Sequence, residues 1–203
     1  MRGSSPLIHC ITNYVTAGDT ANMLLAAGAS PIMADDPSES AEITALAQGL
    51  TLNLGTPSGS RVEAMLRSGA EANRRGIPVV FDPVGAGCSG FRRNSAGEIL
   101  RRVRLTAIRG NLSEISYLAG FESRENGVDS SETRITAAEA AQTAAKKLGC
   151  VCAVTGERDV ISDGSRTVTI LSGTPLLKKV TGAGCMTLSL IHISEPTRPR
   201  LIS

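Results

Sequence analysis

The 203-residue chain is long enough for one large domain and short for two. Its 41% hydrophobic and 20% charged residues exclude disordered, collagenous and coiled-coil readings. With 21 basic and 19 acidic residues the net charge is +2, which gives no general field for nucleic acid or an anionic membrane, and 2% aromatic residues offer few platforms for stacked bases.

No apolar run reaches the roughly 20 residues that span a bilayer, and the start lacks a secretory leader pattern, so a cytoplasmic location is expected. The five cysteines, Cys10, Cys88, Cys150, Cys152 and Cys185, show no paired metal spacing and read as reduced thiols. Cys150 and Cys152 alternate along a strand, and His9 and Cys10 lie in a short extended segment; neither pair needs chemistry.

In chain order, Ala-, Leu- and Glu-rich stretches predict helices over 17–27, 40–48, 59–75, 94–103, 113–119 and 136–148. Thr136 with Glu139 three residues on is a capping box, and Gly28, Gly76 and Gly149 stand where helices should stop. Short, continuously apolar runs at 29–33, 50–54, 77–81, 105–108 and 151–154 predict strands buried on both faces. Residues 160–162 and 168–171, separated by Asp163-Gly164, predict an antiparallel hairpin, and the polar stretch 120–132 a surface loop. The alternation predicts an α/β fold: a mostly parallel central sheet with helices on both faces.

Gly85-Ala86-Gly87-Cys88-Ser89-Gly90 matches the spacing of a dinucleotide fingerprint. However, Asp82-Pro83 separates it from the strand, and residues 105–110 lack the carboxylate a ribose would need. No P-loop motif is present. Val180-Thr181-Gly182-Ala183-Gly184-Cys185-Met186 is richer in chemistry, because small residues lead directly into an apolar helix. The amides of Gly182, Ala183, Gly184 and Cys185 would converge on one anion, helped by the helix dipole; the plain alternative is a tight turn into a core helix.

Asp82 and Glu114 fall after predicted strands, where open parallel sheets keep their ligand crevice, and two carboxylates there suit magnesium. Each also has a structural reading, Asp82 as a turn residue before Pro83 and Glu114 as a first-turn helix acid. Arg109 reads either as a phosphate clamp or as a solvated charge, and Thr155-Gly156-Glu157 offers a hydroxyl and amides to a phosphate.

Seven motifs in order resemble the ribokinase-like superfamily and, within it, the hydroxyethylthiazole kinases. They are the segment from His9 to Val15; Asn22 with the segment from Leu25 to Met33; Asn53-Leu54-Gly55-Thr56; Asp82-Pro83-Val84-Gly85-Ala86-Gly87; Ile108-Arg109-Gly110-Asn111 with Ser113-Glu114; Val154-Thr155-Gly156-Glu157; and the segment from Val180 to Cys185. The resemblance spans Pro6 to Leu190 and implies a ribokinase-like three-layer fold. It also implies transfer of the ATP γ-phosphoryl group to 4-methyl-5-(2-hydroxyethyl)thiazole with Mg²⁺, and a homotrimer with the site near a subunit interface. By motif it implies Met33, Gly182 and Asn13 for the thiazole, Arg109, Thr155 and Asn111 for ATP, and Asp82 and Glu114 for the metal. Cys185 with Gly184 and Ala183 would lie at the reaction centre. Cys185 stands where related sugar kinases carry an Asp base.

Two rivals are a hydroxymethylpyrimidine kinase or an NAD(P)H-hydrate dehydratase of the same superfamily, and a nucleotide-binding fragment without turnover. Against family members, residues 1–190 read as one kinase domain incomplete at both ends. Residues 191–203, with Pro196 and Pro199, read as a non-native tail resembling translated sequencing adapter, with the last helix ending near Leu190.

Overall fold

A computed structural model of the chain describes residues 5–121, 135–171 and 182–194. Among these, β1 (Leu7–Ile11), β2 (Ser30–Ile32), β3 (Gly49–Asn53), β4 (Val79–Asp82), β5 (Ala107–Asn111), β6 (Val151–Thr155), β7 (Asp159–Ser162) and β8 (Thr167–Ile170) form one sheet. Its order is β2-β1-β3-β4-β5-β6-β7-β8. The ladders from β2 through β6 are parallel, while β7 and β8 add as the expected antiparallel hairpin. Its turn forms because Asp163 Oδ1 accepts from the backbone amides of Ser165 and Arg166, which also holds that carboxyl well below the usual range.

The helices are α1 (Ala17–Ala26), α2 (Ser40–Leu46), α3 (Gly59–Arg75), α4 (Gly90–Arg102), α5 (Leu112–Ala119), α6 (Ala137–Leu148) and α7 (Ala183–Ser194). Period-2 burial splits the sheet between two cores. Val79, Phe81 and Ile108 face the larger one with residues of α3 to α6. Val80 and Ala107 face the other side, against Leu188 of α7. Ile8 and Cys10 of β1 meet Leu24 of α1 in a third cluster, and α1 packs against α7. The result is the three-layer α/β arrangement that the alternation predicts. Each fully buried Leu, Ile or Phe contributes roughly 1.5–3 kcal/mol of transfer energy.

The capping signals act as read. Thr136 accepts from the Glu139 amide while the Glu139 carboxylate accepts from Thr136 N–H, and Gly76 and Gly149 close α3 and α6 in the left-handed region. Three readings change. The segment containing His9 and Cys10 is a central strand, with His9 fully buried and its Nε2 donating to the Ala34 carbonyl at 2.7 Å. Burial lowers the pKa of His9 and pushes the Cys10 thiol up to about 12. The run at 29–33 forms the edge strand β2 and is only half-buried, because among the described residues no strand pairs on its outer side. Finally, α7 runs on to Ser194, with Ile191 packed beside Val80 and Ala107, so tertiary packing carries the helix past Leu190 until the chain nears Pro196. Most of the expected loop at 120–132, and residues 195–203, lie outside the described residues.

Candidate active site

Strand order reverses at β1, with β2 to one side and β3 to the other. In an open parallel sheet such a switch point opens a crevice at the carboxyl ends of the strands, because successive helices leave on opposite faces. Asn13 follows β1 there, Asn53 ends β3, and Asp82 ends β4 in register with Asn53. The N-terminus of α7 meets them from the face it shares with α1.

At that meeting point the Cys185 sulfur accepts from Asn13 Nδ2 at 3.2 Å and from Asn53 Nδ2 at 3.3 Å. The two amides are themselves joined, Asn13 Nδ2 donating to Asn53 Oδ1 at 3.1 Å. Asn13 Oδ1 is held by the backbone N–H and the hydroxyl of Thr16, both at 3.0 Å. Asn13 and Asn53 are both buried, so their orientation is fixed by packing as well as by bonding.

Gly182 precedes α7 at φ +76° and lies so close to Thr16 that a Cβ there would meet Thr16 Cγ2 at 2.2 Å. Gly184 lies against Arg109, where a Cβ would stand 2.6 Å from Nη1. The first helical amides, from Ala183, Gly184 and Cys185, are the donors that a helix start leaves without intrahelical acceptors. Thr181 and Val180 lie outside the described residues.

Beside this hub Asp82 is 3% exposed, and burial pushes its carboxyl up to about 7. Arg109 opposes that rise, but its Nη1 stands 3.4 Å from Asp82 Oδ2, an ion pair longer than a tight hydrogen bond. Glu114 adds to the rise as a like charge. The Glu114 oxygens are both engaged: Oε1 accepts from Gly85 N at 2.9 Å and Oε2 from Asn111 N at 2.8 Å. These bonds tie the turn after β4 to the start of α5 and complete a capping box with Asn111, whose side chain accepts from Glu114 N.

A buried carboxylate without a tight cationic partner, next to a second carboxylate with spare lone pairs, fits a divalent cation that prefers few protein ligands. Among the described residues no group of three or more His, Cys, Asp or Glu is gathered into a metal cage.

The structure therefore brings Asn13, Gly182, Gly184, Cys185, Asp82, Arg109 and Glu114 to one end of the sheet. Thr155 pairs with Asn111 across the β5–β6 ladder, and its hydroxyl donates to the Gly110 carbonyl at 3.2 Å. The Asn111 oxygen is occupied as a helix cap. Met33 follows β2 at the same edge, 39% exposed. Cys88 is exposed, in the turn just before α4.

Two residues with no role assigned from sequence hold the site together. Asn53 is one. Arg92 is the other, donating to the carbonyls of Leu54, Val84 and Gly55 and so fastening the loops after β3 and β4. The signal for Arg92 was present: Ser89 caps α4 by accepting from Arg92 N, which starts the helix four residues before the expected position.

The hydroxyethylthiazole kinase family model matches residues 1–195. A hydroxyethylthiazole kinase of Ruminiclostridium cellulolyticum is 53% identical over 194 residues, covering 94% of this chain and 71% of that protein. The solved hydroxyethylthiazole kinase protein of Pyrococcus horikoshii OT3 superposes with a TM-score of 0.82 at 40% identity, over 94% of this chain and 73% of that one. A PfkB protein from Polaromonas sp. JS666 shares the fold alone, with a TM-score of 0.55 at 10% identity over 95% of this chain and 73% of that one. With the switch-point crevice and the ordered motifs on one edge of the sheet, the chain belongs to the hydroxyethylthiazole kinase family.

Proposed function

We propose that the protein transfers the γ-phosphoryl group of ATP to the hydroxyl of 4-methyl-5-(2-hydroxyethyl)thiazole. The observation that carries this is the meeting of a buried carboxylate, Asp82, an arginine, Arg109, and a cysteine held by two amides at a glycine-rich helix start. In the reaction the alcohol oxygen bonds to the γ-phosphorus, the bond to the β-phosphate bridging oxygen breaks so that ADP leaves with that oxygen, and the hydroxyl proton passes to water.

Phosphoryl transfer rests on positioning and charge stabilisation more than on covalent chemistry. The Ala183, Gly184 and Cys185 amides would receive the charge of the transferring group, and Arg109 would meet the polyphosphate, with Thr155 and Asn111 on the nucleotide side. Gly182, Asn13 and Met33 would line the thiazole, with Cys185 beside the attacking hydroxyl. Magnesium, when bound, would neutralise the phosphate oxygens; Asp82 would hold it, and Glu114 would act through water because both its oxygens already accept backbone bonds. We extend the reading to a cytoplasmic enzyme and to a homotrimer whose interface lies near the site, which the exposure of Tyr14, Val15 and Met33 at that edge supports. Among the described residues no helix is long and apolar enough to cross a membrane.

The test is an acceptor panel with ATP and Mg²⁺. Phosphorylation of the thiazole alcohol well above hydroxymethylpyrimidine, with no ATP turnover on hydrated NADH, is expected. Preference for either of the others would overturn the assignment. Replacing Cys185 by Asp is expected to retain or raise kcat, because a carboxylate oxygen takes the same two amide donors more strongly than sulfur and is a better proton acceptor. A folded, ATP-binding Cys185→Asp protein without turnover would show that the thiol itself is required.

A further inference from the structure

Asn53 is fully buried at the carboxyl end of β3, and its side chain makes three hydrogen bonds. Its Oδ1 accepts from Asn13 Nδ2 at 3.1 Å and from Gly55 N at 2.9 Å. A carboxamide oxygen has two lone pairs, so that end is filled. Its Nδ2 has two hydrogens. One points to Cys185 Sγ at 3.3 Å, and Asp82 is the neighbour of Asn53 across the β3–β4 ladder.

The orientation is therefore determined. Turning the amide over would aim N–H groups at the Gly55 N–H and at the Asn13 Nδ2 donor, setting donor against donor at both places. Gly55 supports the same arrangement by close approach, since a Cβ there would lie 2.8 Å from Asn53 Oδ1 and from Asn13 Cβ.

On the reading of the site given above, we propose that Asn53 is a positioning residue for phosphoryl transfer, locking the Cys185 sulfur in place relative to Asp82. It acts through Cys185 and Asn13. Its three side-chain bonds clamp the segment after β1, the loop after β3 and the start of α7 together.

The discriminating variant is Asn53→Asp. It keeps an oxygen for Asn13 and Gly55 and removes the N–H that reaches Cys185, at the cost of a second carboxylate beside Asp82. Asn53→Ser, which adds no charge but shortens the side chain and gives up the Oδ1 bonds as well, separates the effect of the new carboxylate from loss of the clamp, and thermal melting verifies that both variants fold. Steady-state kinetics are measured for each variant in the native chain and in a Cys185→Ala background.

The expected result is a fall in kcat of about tenfold or more in the native background, since slight misplacement at a reacting centre can cost up to roughly a hundredfold. KM for ATP and for the thiazole alcohol should change by less than about threefold. In the Cys185→Ala background the same substitution should cost several-fold less, because the group it positions is gone. Equal losses in the two backgrounds, or a change confined to KM, overturn the proposal. An unsubstituted chain that phosphorylates no thiazole alcohol overturns instead the functional reading on which it rests.

Discussion

Replacing Asp82 by Asn is expected to raise the melting temperature of the chain at pH 8 while removing phosphoryl transfer. The carboxyl is held at about 7 against an ordinary 3.8, so the folded state binds this proton more tightly than the unfolded state does. The protonated group contributes stability that is fully present below the unfolded value and is lost as pH rises through about 7.

At pH 8 the native chain carries a buried carboxylate at a cost of up to about 4 kcal/mol, by the conversion of roughly 1.4 kcal/mol per pKa unit. Asn keeps the shape and an acceptor for Arg109 without that cost. The gain should shrink when melting is repeated at pH 5, where Asp82 is already largely protonated. The lost charge stabilisation should lower kcat by on the order of a hundredfold or more. Melting curves at both pH values without divalent cations, together with the kinase assay, check the pair of effects. An unchanged or lowered melting temperature at pH 8, or equal gains at both pH values, would refute the assigned burial of this charge. Such a residue costs stability where it serves function.

Gly182→Ala is expected to be the most damaging single-methyl change in the site. Residue 182 sits at φ +76°, where a side chain costs roughly 1–2 kcal/mol, and its Cβ would overlap Thr16 Cγ2 at 2.2 Å and Thr16 Cβ at 2.9 Å. Thr16 is buried, and its side chain cannot swing away without breaking the hydroxyl bond to Asn13 Oδ1. Asn13 in turn holds the Cys185 sulfur, so the overlap is transmitted to the reaction centre. A loss of about 2–4 kcal/mol of stability and on the order of a hundredfold in kcat is expected. Thr16→Ala in the same chain, by removing Cγ2, should restore part of both. Melting and kinetics on the single and double variants test this, and near-native activity in Gly182→Ala would show that the approach of α7 to Thr16 is not rigid.

Much of the fold was legible because local signals and tertiary packing agree. Thr136 and Glu139, Gly76 and Gly149, and Asp163-Gly164 each fix a boundary through their own side chain or backbone, and α3 has the expected limits. The misses fall where packing outvotes local preference. β1 was read only as an extended segment, since His9 interrupts its apolar run; the His9 ring is satisfied by Ala34 and Thr44, contacts distant in sequence. β4 and β5 run one and three residues beyond the expected ends because Asp82 and Arg109 to Asn111 continue the ladders despite being polar. α7 passes Leu190 because Ile191 finds a partner in the sheet.

At the site, the carboxylates, glycines and Cys185 were identifiable from residue type. Their connections were not. Asn53 stood in a recognisable motif, yet two of its three side-chain bonds run to Asn13 and Cys185, near opposite ends of the chain. Glu114 was expected at the metal, and the structure shows it also bracing the turn after β4 through Gly85.

The central claim, that this crevice moves a phosphoryl group onto the thiazole alcohol, is tested most directly by incubating the purified chain with γ-labelled ATP, Mg²⁺ and 4-methyl-5-(2-hydroxyethyl)thiazole and separating the products. The account predicts label in the thiazole phosphate, dependent on the alcohol and absent in Asp82→Asn. Label released only as inorganic phosphate, or thiazole phosphate formed equally well by Asp82→Asn, would contradict it.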